Sequence, residues 1–343
     1  MRLMNSAHGL VLTAIVLVAA GCPLTPCEEE TACCTPALEG PYLGQEPPGT
    51  EPAVFAEGVV STGMSELNSV FSPDGTEFYF SITAGPMHWV MMASYLRGGV
   101  WSKPEAVTFP GPYSAVDMAF SPDGNRLYYC SNRPLSGTGE ANETVDIWYV
   151  ERIGDAWSEP INPGPPINSE EHEFYPSFTT DGTLYFQSRR PGGLGGADLY
   201  RSRLVDGEYR EAELLPPPVN TEDFEGDALI APDESFIIIS GLAVQRHERR
   251  DSDLYVSFHR EDDSWTERIW LGDKVNSDQG ENCPTLSPDG RFFFFTSRRA
   301  VGVPGEKESY DELHQRWILP AFGHGHGDIY WVDAAIIEAL RPS

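Results

Sequence analysis

The sequence predicts an all-β chain folded as a five-bladed β-propeller with four-stranded blades. Three observations predict it. A short turn phrase recurs five times at near-equal intervals. The strand after each turn is apolar without alternation. The last repeat lacks its outer strand, and the N-terminal part of the chain carries a spare one that would pair there and close the ring. Six blades are the alternative, but a sixth would need a unit without the turn phrase, and the spacings leave no room for it.

The turn phrase is "FSPDG" at 71–75 and 120–124, "FTTDG" at 178–182, "IAPDE" at 230–234 and "LSPDG" at 286–290. Its aspartates are separated by 49, 58, 52 and 56 residues. A period near fifty with β-type motifs marks a propeller or array. Proline sets φ at the first central position, aspartate bonds its own backbone, and glycine accepts positive φ. The phrase therefore predicts a hairpin on a type I turn with a glycine bulge.

After each turn comes a dense apolar strand: "EFYFS", "RLYYCS", "TLYFQS", "SFIIIS" and "RFFFFTS". A strand with one wet face would alternate. Continuous apolar runs need cover on both faces, which radial stacking of blades provides. Then come "DIWYV", "DLYRS", "DLYVS" and "DIYWV", and aromatic-led outer strands such as "VWSKPEAV", "AWSEPINP" and "SWTERIWL". The fifth unit stops after "DIYWV". Glu51-Pro52 matches the "SEP" of blade two, which places the missing strand before the first repeat.

Composition narrows the function. The chain of 343 residues has 52 acidic and 23 basic side chains, a net charge of −29. Such a surface repels phosphate backbones and argues against nucleic-acid binding. Residues 1–21 hold Arg2, an apolar run and small residues, the pattern of an export signal. Residues 22–49 are rich in Pro, Glu and Thr and read as a flexible tether, which leaves 50–343 for the propeller. Five cysteines follow Cys22, an odd number for an exported chain, with no zinc-type spacing.

Two resemblances add to this. "VAAGC" at 18–22 resembles a bacterial lipobox, which implies lipidation of Cys22 and membrane attachment through that lipid alone. "FSPDGNRLYYCSNRP", "DIWYVER" and "DGTLYFQSRRPGGLGGADLY" resemble the WD40-like repeat of TolB-type propellers. That likeness implies an exported protein of the cell envelope, at the outer membrane facing periplasm or surface. Two departures stand out: blade one has "MHWVMM" without the aspartate before its third strand, and blade four has "PDE" without glycine.

Candidate sites come from repeat positions. Eight residues before the turn aspartate lie Glu66, Ala115, Glu173, Glu225 and Glu281; two further on lie Asn68, Asp117, Tyr175, Asp227 and Cys283. On innermost strands, Glu66, Asp117, Glu173, Glu225, Asp227 and Glu281 would ring one mouth of the channel. The functional expectation is a binding site, with oxygens that would suit Ca²⁺; otherwise no cofactor is expected. The structural expectation is that the glutamates pair with Arg133, Arg189, Arg190, Arg298 or Arg299. His324, His326 and Asp328 alternate in "GHGHGD", a spacing able to hold a metal ion if extended. Tyr310, Trp317 and Phe322 in the long blade-five insertion are a second candidate contact surface. Counted from the turn aspartate, Cys130 falls in line with Ser81, Ser188, Ser240 and Thr296.

No catalytic residue is expected: GxSxG, HExxH and phosphate-loop motifs are absent from the sequence. The expected function is a lipid-anchored envelope propeller that binds or scaffolds a protein or glycan. The alternative is a glycan-active hydrolase or lyase using channel carboxylates, a reading that rests on fold analogy.

Overall fold

A computed structural model describes residues 38–242, 251–299 and 326–342. The described residues belong to one compact unit. Five of its sheets are the five expected blades, each antiparallel, and a two-stranded hairpin of Leu204–Val205 and Glu208–Tyr209 stands beside them. The innermost strands are Glu66–Phe71, Val116–Phe120, Glu173–Phe178, Glu225–Ile230 and Glu281–Leu286. The second strands are Glu77–Gly85, Arg126–Ser131, Leu184–Ser188, Phe236–Leu242 and Phe292–Ser297. Third strands and short outer strands complete each sheet.

The turn phrase folds as its chemistry requires. In blade one the Gly75 N–H donates to Ser72 O at 2.8 Å and Gly75 has φ +70°. Ser72 Oγ and the Thr76 N–H both donate to Asp74 Oδ1, at 2.6 and 3.0 Å. Blades two, three and five repeat the hydroxyl-to-aspartate bond with Ser121, Thr179 and Ser287. In blade four Glu234 takes the glycine's place at φ +61°, a conformation that costs a non-glycine residue about 1 kcal/mol or more.

The unbroken apolar strands are explained by where alternate residues go. Phe78 and Phe80 pack with Phe292, Phe294 and Trp331 of blade five, while Tyr79 between them packs with Leu127 and Tyr129 of blade two. Phe293 and Phe295 face Ile238 and Val256 of blade four. Blades two and three share Tyr128, Cys130 and Phe186; blades three and four share Tyr185, Ile237 and Ile239. Each of the five apolar clusters therefore lies between blades. Each fully buried side chain of this kind contributes about 1.5–3 kcal/mol.

The ring closes through the N-terminal strand. Ala53 pairs with Trp331 and Val54 with Tyr330. Phe55 N–H donates to Ile329 O at 2.8 Å, and Phe55 is buried among Phe71, Phe78, Phe294 and Trp331. This strand covers the edge that Asp328–Asp333 would otherwise expose at the seam.

One boundary needs correction. The tether was expected to run to residue 49, but residues 38–49 lie against the propeller. Leu43 is wholly buried, Tyr42 packs edge-on against Phe71 and Phe292, and Trp101 donates from Nε1 to Gly40 O at 2.7 Å. Leu38 and Leu43 join the core cluster between blades one and five, with Tyr42 packed against it. Residues 1–37, with Cys22, lie outside the described residues.

Candidate functional site

The innermost strands share one device. Each contains a bulge, between Leu67 and Ser69, Val116 and Ala119, Phe174 and Ser177, Glu225 and Ala228, and Asn282 and Thr285. Asn68, Asp117, Tyr175 and Cys283 sit in these bulges at φ +46° to +56°. A bulge re-aims a side chain, and these converge on the axis with Asp227.

Contacts run from blade to blade around that axis. Asn68 Oδ1 accepts from the Met118 N–H at 2.8 Å, Asp117 accepts from the backbone of Tyr175, and Asp227 Oδ2 accepts from the Cys283 N–H at 3.1 Å. Cys283 Sγ also donates to Asp227 Oδ2, at 3.3 Å. The Tyr175 hydroxyl donates across to Pro284 O at 3.0 Å. Burial, then the charge of Asp227, pushes the Asp117 carboxyl well above the usual carboxylate range. Burial also raises Asp227, against the hydrogen bonds from Cys283. Two neighbouring carboxyls without a facing cation favour holding a proton. Burial pushes the Cys130 and Cys283 thiols up, so neither is a poised nucleophile.

The repeated glutamates lie deeper than a channel rim. Glu66, Glu173, Glu225 and Glu281 are wholly buried. Three carry an arginine. Arg190 Nη2 lies 3.3 Å from Glu173 Oε1, Arg299 Nη2 lies 3.8 Å from Glu281 Oε1, and Arg268 is bonded to Glu225. A hydroxyl four residues upstream caps each: Ser169 donates to Glu173 at 2.6 Å, Thr221 to Glu225 at 2.7 Å, Ser277 to Glu281 at 2.5 Å, and Thr62 to Glu66. This [Ser/Thr]-x-x-x-Glu spacing is visible in the sequence, yet only its glutamate was singled out. The residue before the hydroxyl latches the preceding blade. Asn168, Asn220 and Asn276 accept from Ile147, Leu199 and Leu254 N–H groups at 2.7–2.9 Å, and Ser61 does so with Ile329 at 3.2 Å.

Blade two reverses the pattern: Ala115 replaces the glutamate while Arg133 remains, over the rings of Tyr113 and Trp148, with Nη1 donating to Pro110 O at 3.3 Å. Of the arginines named from sequence, Arg190 and Arg299 pair with glutamates; Arg268 supplies blade four instead. Strand pairing also corrects one alignment. Cys130 lies in line with Ser81, Gln187, Ser240 and Thr296, not Ser188, because the blade-three turn is one residue shorter between Phe178 and Leu184 than between Phe71 and Phe78.

A solvent-reaching concavity lies on the turn face, a funnel of about 270 Å³ walled by residues of all five blades. Its walls are Phe71, Phe120, Phe178, Ile230 and Leu286, with Pro73, Pro122, Pro232 and Pro288 at the rim and Tyr175, Pro176 and Pro284 below. The turn aspartates 74, 123, 181, 233 and 289 are exposed around it. Hydrogen bonds from their own turns, with arginines bearing on most of them, hold their carboxyls below the usual range.

Among the described residues no group of three or more His, Cys, Asp or Glu is placed to hold a metal ion, and no helix is long and apolar enough to cross a membrane. Asp328 is buried at the start of its strand and His326 is exposed. His324, Tyr310, Trp317 and Phe322 lie outside the described residues.

These features define a class: a five-bladed β-propeller with a polar axis and a mostly apolar funnel on its turn face. No protein-family model and no curated protein sequence matches the chain. Among solved structures it is similar to a TolB candidate from Agrobacterium tumefaciens, at 18% identity and TM-score 0.44 over 68% of this chain and 70% of that one. It is also similar to the catalytic domain of an α-L-arabinofuranosidase from Coprinopsis cinerea, at 9% identity and TM-score 0.45 over 85% and 94%. A third is an oligogalacturonate lyase in complex with manganese, at 14% identity and TM-score 0.37 over 78% and 65%.

Proposed function

We propose that this propeller is a binding or scaffolding module of the bacterial cell envelope, anchored by lipid on Cys22, and that it holds a protein partner by its turn face. One observation carries the reading: the solvent-reaching concavity walled by all five blades is mostly apolar, while the repeated glutamates are buried beneath the surface. Apolar walls inside a ring of charged aspartates suit a partner segment with an apolar anchor and basic flanks. The test is capture of envelope proteins by the full chain and by Leu286→Arg. A partner lost with Leu286→Arg, at unchanged thermal stability, supports docking in the funnel. Retention there, with loss on removal of residues 300–323, moves the contact to the blade-five insertion.

A second reading is favoured by the axial carboxyls. Asp117 and Asp227 are neighbouring, coupled acids, a pair in which one can hold a proton while the other is ionised, the division a glycan-active hydrolase or lyase needs. Turnover of envelope glycans by the wild-type chain, abolished in a folded Asp227→Asn variant, would establish it. A bound Ca²⁺ belongs to the same reading, and calorimetry with Ca²⁺ alone tests it.

A further inference from the structure

Among the described residues, blade one keeps the buried glutamate without an arginine. Glu66 is wholly buried; Thr62 donates to Oε1, and Oε2 has no hydrogen-bond partner. Glu173 and Glu281 face Ser188 and Ser297 in the strand pairing, and the arginine follows two residues later. Glu66 faces Ile82, so the arginine position falls on exposed Ala84. Among the described residues no ion pair forms on Glu66.

This carboxyl stands at the seam where the ring closes. The Glu66 N–H donates to Gly327 O at 2.7 Å, and the Gly327 N–H donates to Ser65 Oγ at 3.2 Å. The linker presents the hydroxyls of Thr62 and Ser65, the second strand presents Ile82, and blade five presents Gly327 and Asp328. Of these only Asp328 ionises, and its charge has the same sign. His326, one residue before Gly327, is exposed.

We propose that a proton on Glu66 does in blade one what arginine does in blades three, four and five, so that ring closure is latched by protonation and loosened when the proton leaves. An ionised carboxylate in this place would be buried with one free oxygen and a like-charged neighbour. Burial first, then Asp328, raises the Glu66 carboxyl to about 7 despite the Thr62 hydrogen bonds. The folded-state value lies above the ordinary 4.5. Its stabilising effect is therefore complete below that value and lost as pH rises through about 7.

The experiment compares the full chain with Glu66→Gln and with Ile82→Ser/Ala84→Arg, which rebuilds the Ser-x-Arg of blades three and five. Unfolding equilibria at pH 5 and pH 8 are expected to show a wild-type-to-Glu66→Gln ratio that falls about 100-fold between them. The rebuilt variant should flatten that dependence. Hydrogen exchange compared at one pH should place the loss at the amides of Phe55, Glu66 and Ile329. Parallel pH profiles for wild type and Glu66→Gln would overturn the latch, as would an exchange difference spread evenly over the blades. If Glu66→Gln does not fold, the rebuilt variant decides: a profile as steep as the wild type's refutes the proposal.

Discussion

Arg268 reaches Glu225 from just before the outer strand of blade four, filling the place that Arg190 and Arg299 fill from the ends of second strands in blades three and five. Gly241 makes this possible. It faces Glu225 in the strand pairing, and a Cβ there would come within 3.1 Å of Arg268 Nη1. The same buried guanidinium is thus supplied by two different routes. Arg268→Leu leaves the Glu225 charge uncompensated and is expected to cost about 3–5 kcal/mol in denaturant unfolding. Gly241→Ala, which crowds the guanidinium without removing it, should cost less.

Closure by the N-terminal strand predicts a large effect at Phe55. This ring touches side chains of both the first and the last blade. Phe55→Ala should lower stability by about 3–5 kcal/mol. Equilibrium unfolding checks the size, and protease sensitivity at the chain's N-terminal side checks the place. A loss below about 1 kcal/mol would mean the ring holds without this strand.

The axial acids predict a pH dependence of their own. Burial and Asp227 raise Asp117, so the fold favours its protonated form. That preference is fully met below the ordinary value of 3.8 and is lost as pH rises through the raised folded value. Asp117→Asn keeps an oxygen for the Tyr175 N–H and removes the charge. It should stabilise the protein at pH 8 and leave it unchanged below pH 4, read from melting temperatures across that range.

Tyr175 ties blade three to blade five across the axis by a single buried bond to Pro284 O. Tyr175→Phe leaves that carbonyl unpaired and should cost about 1–3 kcal/mol. Tyr175 also lines the funnel, so the folded variant reports, by partner capture, whether a ligand reaches that depth.

Much of the fold was legible because its causes are local and repeated. Ser72 to Gly75 can form little but the turn they form. Phe292 to Phe295, apolar on both faces, need a blade on either side. The ring of glutamates was legible as a period, yet its meaning was not. Glu173 and Glu66 look alike in the chain and are equally buried, and only the opposing residue, Ser188 or Ile82, separates a carboxylate paired with arginine from one without that pairing. Arg268 was missed because its partner lies 43 residues away and is reached from the outer strand. Cys130 was misaligned because one turn is shorter by a residue, which pairing reveals and counting does not.

By itself the sequence determined the number of blades, the order of strands in each and the segment that closes the circle. Those follow from short-range turn chemistry and from apolar runs that must be covered. Tertiary structure alone decided which acids are paired, which are raised by burial, where residues 38–49 lie and where the five-blade concavity forms. Each of those depends on what a neighbouring blade places against a side chain, and strand register and burial set that across the whole chain.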